Sequence, residues 1–293
     1  MKQWHMIIDV AKCEDCNNCL LACKDEHVEN DWPGYTGPQP RHGHKWMNVA
    51  RRERGQFPLI DVAYRPTPCM QCEKPACAAA SDGSVRIRKD GLVMIDPQMA
   101  KGHHHLVEAC PYGAIWWNEE SQVPQKCTFC AHLLDKGWKQ PRCVQACPTG
   151  ALRSVLAEPG EMARIATSEK LSVLHPEFDT SPRVYYANLY RFDSCFIAGS
   201  VACDLEGSVD CVAGARVMLN CNGAPVAETH SDAFGDFRFD GLQTGKEVST
   251  IYTIQIEVAG FDPRSFTVSQ LTSSLSIGTI CLAPSREFAG SSS

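Results

Sequence analysis

The amino-acid sequence predicts an α+β protein of two domains, a cysteine-rich one over residues 1–192 and a small all-β one over residues 193–293. Of the 17 cysteines, twelve lie between Cys13 and Cys147 and five between Cys195 and Cys281, with none in the 47 residues between these groups. From about residue 193 onward the pattern changes to the period-two alternation that is typical of half-buried strands. The length, 293 residues, suits two domains.

The first domain contains three cysteine motifs. One is C-x2-C-x2-C-x3-C, with Cys13, Cys16, Cys19 and Cys23. Bacterial ferredoxins hold 4Fe-4S clusters with this spacing, three thiolates on one cluster and the fourth on another. A second is C-x2-C-x12-C-x3-C-P, with Cys127, Cys130, Cys143 and Cys147, and a third is C-x2-C-x4-C, with Cys69, Cys72 and Cys77. These motifs predict a bacterial-ferredoxin-like polyferredoxin domain.

An internal repeat accounts for the twelfth cysteine, Cys110. Ile8-Asp9 precedes Cys13 by the same distance at which Ile95-Asp96 precedes Ala100, an offset of 87 residues. Applied to the first motif, that offset leads to Ala100, His103, Leu106 and Cys110. A fourth motif has therefore kept one of its four ligands.

Pairing the motifs as in two-cluster ferredoxins gives three complete sets of ligands. They are Cys13, Cys16, Cys19 with Cys147; Cys127, Cys130, Cys143 with Cys23; and Cys69, Cys72, Cys77 with Cys110. A fourth set would need Ser81, Ala100, His103 and Leu106, which include no cysteine. We therefore predict three 4Fe-4S clusters that use all twelve cysteines.

Zinc is the alternative for the cysteine pairs, because C-x2-C also builds tetrahedral zinc sites. The repeated C-P-x-G-A segments at Cys110 and Cys147 are not zinc-ribbon spacing, and disulfides are not expected in a chain without a signal peptide. For His103, His104 and His105 we expect a loop released from holding the missing cluster rather than a metal site.

Residues 24–68 form an insert that is too long for a plain connection and is rich in aromatic, proline and arginine residues. Arg51, Arg52 and Arg54 are expected either on a solvated face or towards a partner or a cluster.

Further along, SVRIRKDGLVMID predicts a hairpin at Asp90-Gly91. Trp116 and Trp117 are assigned to packing.

In the second domain, alternating apolar residues predict strands that share one core. They are Val217 and Leu219, Phe237 and Phe239, Ile254, Ile256 and Val258, and Phe266 and Val268. The pattern resembles transthyretin-like or carboxypeptidase-regulatory-like sandwiches, in which a segment such as THSDAFGDFRFDGL joins two strands. The remaining cysteines have no ligand spacing and are expected to be buried free thiols: Cys195, Cys203, Cys211, Cys221 and Cys281.

Charge and hydropathy exclude two classes of partner. Residues 193–293 contain 5 Lys and Arg against 12 Asp and Glu, and the rest of the chain is almost neutral, so neither part has a basic surface for nucleic acid. No segment approaches the roughly 18 to 20 apolar residues of a membrane span. We expect a cytoplasmic protein, or one exported already folded with a partner that carries the targeting signal.

With its four cysteine groups in this order, the first domain resembles the iron–sulfur subunits of molybdopterin oxidoreductases, the dimethyl sulfoxide reductase family. The segments IIDVAKCEDCNNC, NDWPGYTG, HKWMNVARRERG, YRPTPCMQCE, QKCTFCAHLLD and PRVYYANLYRF are similar to a branch of that family whose partner converts phenolic aromatics. The resemblance implies three 4Fe-4S clusters on the twelve cysteines and a heterodimer with a large catalytic subunit that carries molybdenum bis-pterin guanine dinucleotide.

The predicted function is therefore electron transfer, with no catalytic residue in this chain. Transhydroxylation of a phenol has no net redox change, so the clusters would prime or reset the metal, whereas in a related reductase, hydroxylase or dehydroxylase they would act in every turnover. A free polyferredoxin carrier and a zinc-bearing structural subunit are the other hypotheses. Iron, sulfide and a co-purifying large subunit distinguish them.

Overall fold

The computed structural model describes residues 1–205, 207–243 and 250–285. The chain forms two compact units. Unit 1 comprises Met1–Arg51 and Tyr64–Leu189, and unit 2 comprises Arg52–Ala63 and Tyr190–Ser293. The grouping of Arg52–Ala63 with the second unit is a feature that the sequence did not indicate.

The elements of the first part of the chain are mostly short. They are β1 (Gln3–Asp9), α1 (Asn18–His27), β2 (Met47–Gln56), β3 (Leu59–Pro68), α2 (Ala76–Ala79), β4 (Val85–Ile87), β5 (Val93–Ile95), β6 (Trp116–Asn118), β7 (Val123–Gln125), α3 (Ala131–Asp135), α4 (Arg142–Gln145), β8 (Leu152–Ala157), α5 (Pro159–Ser168), β9 (Ser172–Val173) and β10 (Val184–Ala187), with 3-10 helices at His104–Leu106 and Pro176–Phe178. Over the described ranges, no helix combines the length and the apolar character needed to cross a bilayer.

A four-stranded sheet in the order β8-β1-β10-β9 positions the first cysteine motif. Strand β1 is central, parallel to β10 and antiparallel to β8. Its residues Met6, Ile7 and Ile8 are all buried, as expected for a strand covered on both faces. Because β1 ends at Asp9, the loop that carries Cys13 begins at the end of this inner strand.

The hairpin predicted at Asp90-Gly91 is confirmed. Strands β4 and β5 pair antiparallel, with Val85 opposite Ile95 and Ile87 opposite Val93. Gly91 has φ of 85°, and a Cβ there would lie 2.8 Å from Nε of the buried Arg183. Glycine is therefore required by both backbone conformation and space.

Unit 2 is built from α6 (Tyr190–Asp193) and strands that form two sheets. The strands are β11 (Cys195–Leu205), β12 (Ser208–Cys211), β13 (Arg216–Cys221), β14 (Ala224–His230), β15 (Asp236–Leu242), β16 (Tyr252–Glu257), β17 (Arg264–Val268) and β18 (Leu275–Leu282). One sheet has β12, β15 and β18 around β11, and the other has the order β14-β13-β16-β17. The alternating residues predicted to face a core, among them Val217, Leu219, Phe237 and Ile254, do so in one apolar cluster. Apart from α6, the described elements of this unit are strands.

The five cysteines of unit 2 are free thiols, as expected, but not all are buried. Cys195 and Cys203 are buried, Cys221 is half-buried, and Cys211 and Cys281 are exposed. Ala202 of β11 lies opposite both Cys211 and Cys281 in the sheet. The expectation of burial is wrong for these two residues because they lie on strands to either side of β11 and present their side chains to solvent.

Arg54 belongs to an ion-pair network within unit 2. Its side chain is 1% exposed, pairs with Asp61 and donates to Oδ1 of Asp240 over 2.8 Å. Its guanidinium also lies 5.4 Å from the ring centre of Phe196. The expectation of a solvated or partner-facing charge is therefore wrong for Arg54, which fixes Arg52–Ala63 within this unit.

Candidate metal centres

The twelve cysteines of the first domain line three separate cavities, four in each. We name them the first centre (Cys13, Cys16, Cys19 and Cys147), the second centre (Cys23, Cys127, Cys130 and Cys143) and the third centre (Cys69, Cys72, Cys77 and Cys110). The space free of protein atoms at each set, including some open solvent, is about 290, 300 and 350 Å³, respectively. These are the sets of four that the pairing of the motifs predicts.

The first C-x2-C pair of each motif turns its two thiols towards one cavity by the same backbone conformation. The residue before the second cysteine has a left-handed conformation, with φ of 53° at Asp15, 48° at Gln71 and 59° at Phe129. A residue in this conformation reverses the local direction of the chain, so that the flanking side chains converge. The local fold of all three motifs follows from this repeated turn.

Short helices carry four of the six remaining ligand positions, whereas Cys110 and Cys147 lie outside helices. Helix α1 begins at Asn18 and contains Cys19 and Cys23, which line different centres although they lie one turn apart. Helices α2 and α4 contain Cys77 and Cys143, respectively. Helix α1 therefore connects the first centre to the second, as the fourth cysteine of a ferredoxin motif does.

Backbone amides point at several of these sulfur atoms. The amide of Phe129 donates to Sγ of Cys127 and the amide of Ala114 donates to Sγ of Cys110, each over 3.4 Å. Such hydrogen bonds favour the thiolate over the thiol. Because thiolates are the ligands of iron–sulfur clusters, the arrangement suits metal binding.

Burial differs among the three centres. In the first, Cys16 is exposed and Cys13 is half-buried, whereas all four cysteines of the second are buried. Burial raises the pKa of Cys130 to about 12 and that of Cys143 well above its usual range. A cavity of four such thiols loses its protons only when a cation offsets the charge, which a metal cluster does.

Charge interactions between thiols of different centres link the second centre to both of the others. After burial and the thiols of its own centre, Cys19 of the first centre also raises the pKa of Cys143. Likewise, after burial, Cys69 of the third centre raises the pKa of Cys127. The second centre therefore neighbours both of the others, helix α1 also linking it to the first, and we refer to the three as a row in the order first, second, third.

The positions of the missing fourth set are filled by apolar packing. Ala100 and Leu106 have no exposed surface and pack with Val85, Ile95 and Ile115 in one cluster. Ser81 is also fully buried, and its hydroxyl donates to the carbonyl oxygen of Ala78. Three of the four positions of the missing set are therefore buried and packed.

Of the three histidines near that position, His104 and His105 lie in the short 3-10 helix and His103 directly precedes it. His103 is half-buried, with Nδ1 3.4 Å from Oγ of Ser84, and Nε2 of the exposed His105 lies 2.9 Å from the carbonyl oxygen of Ala80. In the described part of the chain, no group of three or more His, Cys, Asp or Glu is spaced to hold a single metal ion.

Two buried residues beside the centres were missed by the sequence reasoning. Nε2 of His27 lies 3.9 Å from Sγ of Cys130, and Lys126 lines the third centre with 3% of its surface exposed. The position of Lys126, directly before the first cysteine of a motif, was a usable signal. Nothing in the sequence distinguished His27 from other histidines.

Comparison with known proteins adds the family. A model of the 4Fe-4S dicluster domain matches residues 60–156. The pyrogallol hydroxytransferase small subunit of Pelobacter acidigallici is 48% identical over 263 residues, which cover 89% of this chain and 92% of that protein. A tetrathionate reductase subunit from Salmonella typhimurium is 32% identical over 201 residues, 67% of this chain and 75% of that protein. The arsenate respiratory reductase iron–sulfur subunit of a Shewanella strain is 29% identical over 242 residues, 65% of this chain and 98% of that protein.

Three cavities lined by cysteine in a ferredoxin-type frame define an iron–sulfur protein of the electron-transfer class. Among such proteins, the chain belongs to the iron–sulfur subunits of molybdopterin oxidoreductases, in the family of the pyrogallol hydroxytransferase small subunit.

Proposed function

We propose that this chain is the electron-transfer subunit of a molybdenum enzyme and that its first, second and third centres each hold one 4Fe-4S cluster. The observation that carries the proposal is the convergence of twelve cysteines, without remainder, on three cavities of similar volume. Each cluster, when bound, accepts and releases one electron. The apolar packing around Ala100 and Leu106 supports three clusters rather than four.

Protein residues prepare the second and third centres for a negatively charged group. Backbone amides at Phe129 and Ala114 point at sulfur atoms, and apolar side chains keep water from the second centre, where Trp46 and Met47 line the wall. The exposed Cys16 makes the first centre the accessible end of the row. We infer that the first centre faces an exchange partner.

The catalytic partner is proposed from the relatives. Pyrogallol hydroxytransferase supplies the substrate class, a phenolic aromatic, and we propose a large subunit with molybdenum bis-pterin guanine dinucleotide as the site of that chemistry. The tetrathionate and arsenate reductase relatives support a related reductase, hydroxylase or dehydroxylase as the second candidate. In either case this chain contributes no catalytic residue and works in a heterodimer in the cytoplasm or alongside an exported partner.

The second domain is proposed as a docking or stabilising module. Two facing sheets around one core support a transthyretin-like sandwich, and its surplus of acidic residues suits a surface that meets a partner. We retain 1–192 and 193–293 as the functional division, with 24–68 as an insert.

The decisive experiment measures iron, acid-labile sulfide and molybdenum in anaerobically purified protein together with any large subunit that co-purifies. We expect about twelve iron and twelve sulfide per chain, because three cubes contain four of each. Cys110→Ser should remove about four iron, whereas the matched control Cys211→Ser, on an exposed strand of unit 2, should remove none. Colourless protein with zinc, or sixteen iron, would contradict the assignment.

A further inference from the structure

Lys126 is a buried cation without a carboxylate partner. It follows β7 directly and is 3% exposed. Its ammonium donates to the carbonyl oxygens of Val93 and Cys127, the latter over 3.2 Å. Among the ion pairs formed by the described residues, none includes Lys126, so its positive charge is offset only by carbonyl dipoles within the polypeptide.

The ammonium lies next to two of the centres. Lys126 lines the third centre together with Cys69, Cys72, Cys77 and Cys110. Burial raises the pKa of Cys77 and Cys110 in that centre and of Cys127 in the second centre, and the charge of Lys126 acts in the opposite direction and lowers it. No comparable influence of Lys126 reaches the thiols described for the first centre.

A fixed charge at this place has a predictable electrostatic consequence. Four thiolates leave an oxidised cluster with a net negative charge, and reduction adds one more electron. In a buried site, where charges are screened less than in water, a neighbouring cation stabilises the reduced form more than the oxidised form. The attraction between the ammonium and the negative cluster also offsets the free-energy cost of burying an ammonium without a carboxylate partner.

We propose that Lys126 raises the reduction potentials of the third and second centres, the third more strongly, and so makes that end of the row the preferred resting place of an electron. The proposal rests on the proposed function, since it needs clusters in both centres. It assigns to one buried side chain a difference in potential between the two ends of the row.

The test is an EPR-monitored redox titration of the anaerobically purified complex. Lys126→Met removes the charge, Lys126→Gln removes it but keeps a donor for the two carbonyl oxygens, and Lys126→Arg keeps the charge. The exposed Lys101→Met is the control for a general loss of charge. Signals are assigned with Cys110→Ser for the third centre and Cys13→Ser for the first.

We expect at least a tenfold lower ratio of reduced to oxidised third centre at fixed potential in Lys126→Gln, equivalent to about 59 mV for one electron. The second centre should shift less, the first centre should not shift, and Lys126→Arg and Lys101→Met should match the wild type.

The outcomes separate this proposal from the proposed function. Wild-type protein without reducible iron–sulfur signals would end the proposed function itself. Wild-type protein with three clusters, together with unchanged potentials in Lys126→Gln, would overturn the role of Lys126 alone. Failure of all three Lys126 variants, including the charge-keeping one, to bind iron would also overturn it, because the residue would then serve assembly.

Discussion

Segments 8–23 and 95–110 are two copies of one pattern, and they differ in what fills the space between their turns. In the first copy Asp9 accepts a hydrogen bond from the amide of Ala11 over 3.0 Å, and in the second Asp96 accepts one from the amide of Gln98 over 2.9 Å. The turn is therefore retained at the offset of 87 residues. The first copy leads into a cavity of thiols, and the second leads into an apolar cluster.

Under the proposed function, the difference teaches that a metal cluster in one copy and a small hydrophobic core in the other support the same loop. Cys19 corresponds to Leu106 and Cys13 corresponds to Ala100, and Leu106 and Ala100 are fully buried. Burial of the Leu106 side chain contributes about 1.5 to 3 kcal/mol and needs no metal at that position, although its cluster also includes Cys77 of the third centre. We infer that the second copy keeps its conformation without metal and that the first copy does not.

Removal of iron should give the largest contrast between the copies. After chelation under anaerobic conditions, residues 13–23 should lose amide protection by about 100-fold or more, because cluster binding contributes directly to local folding. Residues 95–106 should keep most of theirs. Hydrogen exchange read by mass spectrometry, with untreated protein as the reference, measures both segments in one sample. Equal loss of protection in the two segments would break the comparison.

Truncation of Leu106, the residue that corresponds to Cys19 in the second copy, should have the next largest effect. Leu106→Ala should lower the free energy of unfolding by about 2 to 5 kcal/mol, since it opens a cavity in a closed cluster. The iron content should stay at the wild-type value. Denaturant unfolding of the holo-protein measures the change, and Leu21→Ala is the control because Leu21 is 61% exposed. A loss of about four iron on truncation would instead mean that Leu106 shields the third centre.

Much of the centre could be predicted from sequence because ligand spacing is local. The left-handed turn at Asp15, Gln71 and Phe129 needs only the two residues between cysteines, so spacing indicated that the two thiols of each pair converge. The ligands from distant motifs were predicted by pairing the motifs as in two-cluster ferredoxins. The hairpin at Asp90-Gly91 was predictable for the same reason. Strand alternation at Val217 and similar positions likewise identified the core of unit 2.

The rest depended on contacts between distant parts of the chain. Arg54 pairs with Asp240, which lies 186 residues away, and nothing near Arg54 in sequence indicates burial. His27 approaches Cys130 across 103 residues. The exposure of Cys211 and Cys281 depends on the order of strands in a sheet, which alternation alone does not set.

Removal of the carboxylate that accepts hydrogen bonds in each turn, Asp9 or Asp96, should give the smallest contrast. The loss of stability should differ between the two copies. Asp96 also accepts a hydrogen bond from the amide of Met99 over 3.2 Å, so Asp96→Ala should cost about 0.5 to 1.5 kcal/mol for each hydrogen bond lost. Asp9→Ala should cost less in the holo-protein, because the cluster of the first centre still holds the loop that follows. Denaturant midpoints of the two variants, with Asp96→Asn and Asp9→Asn as controls that keep an oxygen acceptor, measure this difference. Since Asp9 also accepts from Nδ2 of Asn188 over 2.7 Å, a larger loss at Asp9 than at Asp96 would mean that side-chain contacts, rather than the cluster, support the first copy.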